Sequence, residues 1–135
     1  MPEDASIKTL NILLVDDMST NRELIKACLN DPQYRINEAA DGQQAINILK
    51  QQKFDVAILD VMMPGIDGIE LCTYIRNMPT TEIIPIIMIT SLNSMEDILE
   101  IEQAGATMYL ERPFDAKKLR KLLSEVTQAK NASNR

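Results

Sequence analysis

The chain has 135 residues, 45% of them apolar, with 20 acidic and 14 basic side chains, a net charge of −6, two cysteines and no histidine. That is one domain's worth of sequence, with enough apolar residue to bury a core without disulfide or metal staples. The missing histidine excludes Ser-His-Asp and Cys-His catalysis and leaves two cysteines too few for a zinc site, while the acidic balance argues against direct nucleic-acid binding.

Residues 1–9 are polar and acidic, unlike a signal peptide, and read as an N-terminal extension. The apolar run at 12–15 predicts a buried strand that ends in Asp16-Asp17. Thr20 and Glu23 have capping-box spacing, and Leu24, Ile25, Cys28 and Leu29 mark one helical face that Asp31-Pro32 stops. Residues 34–39 alternate in polarity and predict a half-exposed strand. Asp41-Gly42 opens a second helix carrying Ala45, Ile46, Ile48 and Leu49. Residues 54–59 are apolar on both faces apart from Asp55, and they lead into Asp60.

The loop at 62–68 is rich in turn residues, and a third helix follows with Ile69, Cys72 and Ile75 inward. Residues 84–89 form another two-faced apolar strand, ending at Thr90. Ser94 and Asp97 cap a fourth helix with Ile98, Leu99 and Ile101, and Gly105 stops it. Residues 108–111 make a short fifth strand, broken by Pro113, and Asp115 caps a last helix with Leu119, Leu122, Leu123 and Val126. Met88 and Met108 are expected in the core, and both cysteines in apolar packing. Residues 130–135 read as a disordered tail or the start of a linker, leaving one domain over 10–129. The longest apolar runs are far too short for a bilayer, so no membrane contact and a cytoplasmic location are expected.

Five βα units predict an α/β fold: a doubly wound (βα)5 sandwich around a five-stranded parallel sheet. The two-faced first, third and fourth strands belong at its centre, and the second and fifth at its edges. The order 2-1-3-4-5, flavodoxin-like, satisfies both demands. Ligands in such sheets sit at the carboxyl ends of the strands where the order reverses, here between the first and third strands. Asp16-Asp17, Asp60, Thr90 and Arg112 all stand at those ends. Three carboxylates in one crevice repel one another, and a divalent cation relieves this. Hard oxygen ligands with room for water favour Mg²⁺. With Mg²⁺ and Arg112 the three aspartates reach formal neutrality, and the pocket can accept a phosphoryl group on a carboxylate nucleophile. Each residue alone has a plainer reading as a turn or helix cap; their joint placement favours the chemistry.

From about residue 10 to 129 the sequence resembles a response-regulator receiver domain. The matching motifs are Leu13-Leu14-Val15-Asp16-Asp17, Ile58-Leu59-Asp60-Val61-Met62-Met63-Pro64-Gly65-Ile66-Asp67-Gly68, Ile89-Thr90, Gly105-Ala106 and Arg112-Pro113-Phe114. The resemblance implies that Asp60 accepts phosphate from a histidine kinase or histidine phosphotransfer protein. It implies that Asp16, Asp17, Asp60 and the Met62 carbonyl hold Mg²⁺, and that Thr90 bonds the phosphoryl group. Tyr109 matches the family's rotating aromatic, and Pro113 its cis-proline. Phosphorylation would switch a partner-binding face made by the fourth helix, fifth strand and fifth helix, acting on an output domain or effector protein.

Met62 and Leu92 match positions that tune hydrolysis in the family. Both are apolar and neither can orient a water, so the acyl phosphate is expected to last on the order of hours. Acidic residues on the fourth helix (Glu96, Asp97, Glu100, Glu102) and basic ones on the fifth (Lys117, Lys118, Arg120, Lys121) suit a phosphorylation-dependent homodimer; solvated helix faces are the plain alternative. One position departs. The family almost always has Lys where this chain has Arg112, a planar fork in place of a point charge. The expectation is a working but altered site, with a phosphorylation-impaired interaction module as the alternative. A phosphatase with an Asp nucleophile lacks its second acid, because Val61-Met62 follows Asp60.

Overall fold

The computed structural model describes residues 9–133, with side chains to residue 128. Strands and helices alternate: β1 (Leu10–Val15), α1 (Ser19–Cys28), β2 (Tyr34–Ala39), α2 (Gly42–Gln51), β3 (Val56–Asp60), α3 (Gly68–Asn77), β4 (Ile86–Thr90), α4 (Met95–Gln103), β5 (Met108–Glu111) and α5 (Ala116–Ser133). Residues 1–8, nearly all of the N-terminal extension, and 134–135 at the end of the expected tail lie outside the described residues; α5 continues through 130–133.

All strands pair in parallel, in the order β2-β1-β3-β4-β5. β3 and β4 are buried at every position, as their two-faced apolar sequences require, whereas β2 and β5 are part-exposed edges. The two-residue period of the strands divides the core. Leu13, Val15, Ala57, Leu59, Ile86 and Met88 face α2, α3 and α4. Ile12, Leu14, Val56, Ile58, Ile87 and Ile89 face α1 and α5. Apart from Ala57, each of these side chains contributes roughly 1.5–3 kcal/mol by burial.

The helix starts follow the expected caps, with one exception. Asp41 accepts from the Gln44 N–H at 2.8 Å, Ser94 and Asp97 close a full capping box, and Asp115 accepts from the Lys118 N–H at 2.8 Å. Asp67 and Glu70 form a second box at the start of α3 that the sequence reading passed over. α1 is the exception: its N-cap is Met18, without a side-chain cap, and the Thr20–Glu23 box does not form. The cause is Asp16, whose Oδ1 takes the Met18 N–H at 2.9 Å and so fixes the helix start upstream of Thr20.

Three apolar placements differ from expectation. Leu24 is 55% exposed, because it stands about 100° around the helix from buried Ile25. Leu99 is exposed beside buried Ile101 for the same kind of reason. Met108 is 38% exposed at the start of an edge strand whose buried residue is Leu110. Cys28 is half-buried and Cys72 buried; burial pushes the Cys72 thiol up to about 11, and its Sγ donates to the Ala104 carbonyl at 3.3 Å, which makes it a packing residue.

Arg76, near the end of α3, also escaped the sequence reading. It donates to the carbonyls of Gly105 (2.8 Å) and Ile84 (2.6 Å), tying α3 to the segments that precede β4 and β5. Gly105 follows the C-cap of α4 at φ +100°, a conformation that excludes most side chains.

Candidate functional site

The strand order reverses between β1 and β3, and both strands end in acid there. Asp60 is the last residue of β3, and the chain leaves through Val61, whose N–H still pairs with the Ile89 carbonyl at 3.1 Å. The loop then folds back, so that the Gly68 N–H donates to the Val61 carbonyl at 3.0 Å. Only glycine fits at 68, since a Cβ there would lie 2.2 Å from the Asp60 carbonyl oxygen. The main chain at the end of the third strand is thus held on both sides.

One carboxylate oxygen from each of Asp16, Asp17 and Asp60 lies within 4.8 Å of the other two. Asp16 is 1% exposed and Asp60 9%, while Asp17 opens to solvent. Arg112 enters from the far side of the sheet. Its N–H is held by the Thr90 carbonyl at 2.9 Å, and the Arg112–Pro113 bond is cis, as the resemblance implied. Its Nη2 lies 3.0 Å from Asp16 Oδ2 and 3.7 Å from Asp60 Oδ1. The guanidinium therefore reaches the site, and its hydrogen bond goes to Asp16.

Asp16 is engaged on both oxygens: Oδ1 accepts from Met18 N–H at 2.9 Å and from Asn21 Nδ2 at 3.4 Å. Asn21 was not singled out in the sequence; nothing but its place one turn into α1 marks it. Arg22 braces the same turn, donating to the Asp16 carbonyl at 2.7 Å and to Glu38 on β2 at 2.8 Å.

The Asp60 carboxyl is pushed up to about 6, first by burial and next by the negative charge of Asp16, with Asp17 adding to it. Arg112 and the Met62 N–H work the other way. This is the like-charge crowding that a cation relieves. The donor set fits Mg²⁺. All the oxygens are hard carboxylates, and octahedral coordination at ~2.1 Å spaces ligand oxygens roughly 3–4 Å apart, a small closure from the observed group. The open side at Asp17 leaves room for the waters that Mg²⁺ retains.

Thr90 ends β4 fully buried. Its Oγ accepts the Leu92 N–H at 2.8 Å, while its own proton faces only the Leu92 carbonyl at 3.4 Å. The hydroxyl proton is thus weakly committed. Met62 is 63% exposed, and half-buried Leu92 packs on the core under α3 and α4. Tyr109 is exposed on β5, one strand beyond Thr90.

A family model, the response regulator receiver domain, matches residues 12–124. The response regulator PleD of Caulobacter vibrioides is 38% identical over 104 residues, which span 77% of this chain and only 23% of that protein. The chemotaxis protein CheY-3 of Vibrio cholerae is 38% identical over 120 residues, covering 88% of this chain and 92% of its own length. Among solved structures, the receiver domain of sensor histidine kinase PA1611 from Pseudomonas aeruginosa is 32% identical, with a TM-score of 0.82 over 89% of this chain and 98% of its own; its active-site cleft holds a magnesium ion.

Proposed function

The chain belongs to the response regulator receiver family of two-component signalling, and on that premise we propose that Asp60 takes a phosphoryl group from a histidine kinase or histidine phosphotransfer protein, with Mg²⁺ bound. One observation carries the reading: Asp16, Asp17, Asp60 and Arg112, from three different strand ends, converge in one crevice.

Asp16, Asp17, Asp60 and the Met62 carbonyl would hold the metal, which offsets charge on the transferring group. A carboxylate oxygen of Asp60 attacks phosphorus, the P–N bond breaks, and the donor imidazole leaves with its electron pair. Thr90 keeps accepting from Leu92 and swings its weakly held proton onto a phosphoryl oxygen. Arg112 offers a planar fork to the remaining charge.

The movement of Thr90 would then reach Tyr109 and the face formed by α4, β5 and α5. Met95, Leu99, Met108 and Tyr109 expose apolar surface along α4 and β5, which suits an output domain or effector protein. A homodimer across the same face pairs acidic α4 with basic α5. Two of its expected charges are used internally, since Asp97 closes the α4 cap and Arg120 donates to the Cys28 carbonyl. No helix among the described residues is long and apolar enough to cross a membrane, and a cytoplasmic place suits a kinase partner.

The test is intact mass after treatment with a small phosphodonor and Mg²⁺. A phosphate-sized increment on the parent chain, absent from Asp60→Asn, is expected; no increment under saturating donor overturns the reading. Exposed Met62 and apolar Leu92 support a lifetime on the order of hours, from the lack of a base to orient water. A half-life of seconds overturns that part. The shorter contact of Arg112 to Asp16 than to Asp60 favours one second reading, a phosphorylation-impaired interaction module. Its sign is an increment that appears only in Arg112→Lys.

A further inference from the structure

A cleft of about 260 Å³ opens between the amino ends of α3 and α4. It lies away from the exposed Met95 and Leu99, since Asp97, on its wall, stands about 160° around α4 from Met95. Its floor is apolar: Val61, Ile69, Leu92 and Ile101 belong to the core or pack against it. Its rim is acidic: Asp67, Glu70, Asp97 and Glu100, with no lysine or arginine lining it. No ion pair among the described residues reaches any of the four. Asp67, Glu70 and Asp97 close the capping boxes, whereas Glu100 stands a turn further along α4, exposed. Two helix starts carry roughly one positive charge between them, so about three negative charges remain unanswered.

We propose that this cleft docks a cationic, amphipathic segment of a partner protein, which lays an arginine or lysine stem on the apolar floor and sets the charged head among the four acids. A volume of about 260 Å³ falls below the roughly 300–1,000 Å³ of small-molecule sites and suits an inserted side chain. A long basic side chain has both characters that the cleft asks for, an aliphatic stem and a cation at its tip. The acidic rim repels phosphate polyanions, so a membrane surface or a nucleic acid does not fit. The surface shares only α4 with the α4-β5-α5 face, and uses the other side of that helix. It is also joined to the acidic crevice. Leu92, in the floor, donates its N–H to Thr90 Oγ at 2.8 Å, so a side chain pressed on Leu92 bears on the hydroxyl assigned to the phosphoryl group. That link rests on the phosphoryl-acceptor reading; the docking itself does not.

The experiment titrates the full chain, without Mg²⁺ or phosphodonor and at low ionic strength, with the peptide acetyl-Leu-Arg-Ala-Leu-Arg-amide, and follows backbone ¹⁵N shifts. Saturable shifts at Ile69, Glu70, Leu92 and Ile101 are expected. Glu100→Lys should weaken binding roughly fivefold, as loss of a rim charge pair does. Glu102→Lys, the same charge change on the Met95 side of α4, should leave it unchanged. A peptide with glycine for both leucines should bind roughly tenfold more weakly, from the apolar contact it lacks. Equal weakening by Glu100→Lys and Glu102→Lys overturns the proposal, because the net charge alone then acts. Equal affinity for the glycine peptide overturns it too, as do shifts confined to Met95, Leu99 and Met108, or no saturation up to about 5 mM. Cleft shifts that grow with protein concentration in the absence of peptide assign the cleft to a second copy and overturn the partner. Thermal unfolding confirms that both variants are folded, and both positions are exposed. Phosphate incorporation on Asp60, measured separately by mass, can fail while the peptide binds, so the two readings fall independently.

Discussion

β3 carries a carboxylate just before its amino end and another at its carboxyl end, and the two behave differently. Asp55 sits where the strand begins. Its carboxylate accepts the Asn11 N–H at 2.8 Å, and its own N–H donates to the Asn11 carbonyl at 2.8 Å. It is a half-buried backbone cap that stitches β3 to β1. Asp60 is carried five residues further into a crevice with two other acids and a guanidinium, where burial and Asp16 raise its carboxyl to about 6. The residue type is the same and so is the strand. What differs is which end of a parallel sheet each occupies, and therefore how many other strand ends deliver charge beside it.

The largest expected difference between the two ends is chemical. Asp60→Asn should abolish the phosphate increment in intact mass, and Asp55→Asn should leave it in place; an increment surviving in Asp60→Asn breaks the contrast outright. Next comes Gly68→Ala, which forces a methyl group onto the Asp60 carbonyl and should cost about 3 kcal/mol in urea unfolding, as overpacking against backbone does.

The third difference is one of sign. The folded state raises the Asp60 carboxyl from 3.8 to about 6, so it binds the proton more tightly than the unfolded chain does. The stability this gives is complete below pH 3.8 and is lost as pH rises through about 6. At pH 7.5 without Mg²⁺, Asp60→Asn should therefore be more stable than the parent by about 2 kcal/mol, an advantage that fades as the pH is lowered toward 4. Urea midpoints at both pH values check it. The smallest effect is at the other end: Asp55→Ala should lose about 1 kcal/mol at neutral pH, a backbone cap's worth.

Much of this could be read in the sequence, for an identifiable reason. Strand order followed from which runs were apolar on both faces, and the crevice followed from what stood at the end of each run. Periodicity reports burial directly, so β1, β3 and β4 and the acids they deliver were visible. What escaped depended on contacts between distant segments. The Thr20–Glu23 spacing was a sound local signal, yet Asp16 captured Met18 first and started α1 upstream. The hydrogen bond of Arg112 to Asp16, and its longer approach to Asp60, depends on where two loops 96 residues apart come to rest. The Asp67–Glu70 box was there to be found by its spacing alone. Arg76 gave no such signal, because its partners are main-chain carbonyls, which every residue type carries.

The Asp16–Arg112 ion pair also bears on the order in which the chain can assemble. Strands β1 and β5 are not neighbours in the sheet, and the bond between their ends bridges over β3 and β4. While a ribosome is still adding the final βα unit, Asp16 lacks Arg112, the cation that pairs with its carboxylate among the described residues. The acid that opens the domain thus penalises any partly built form lacking the last strand, which favours finishing in one cooperative step over lingering as a four-stranded intermediate.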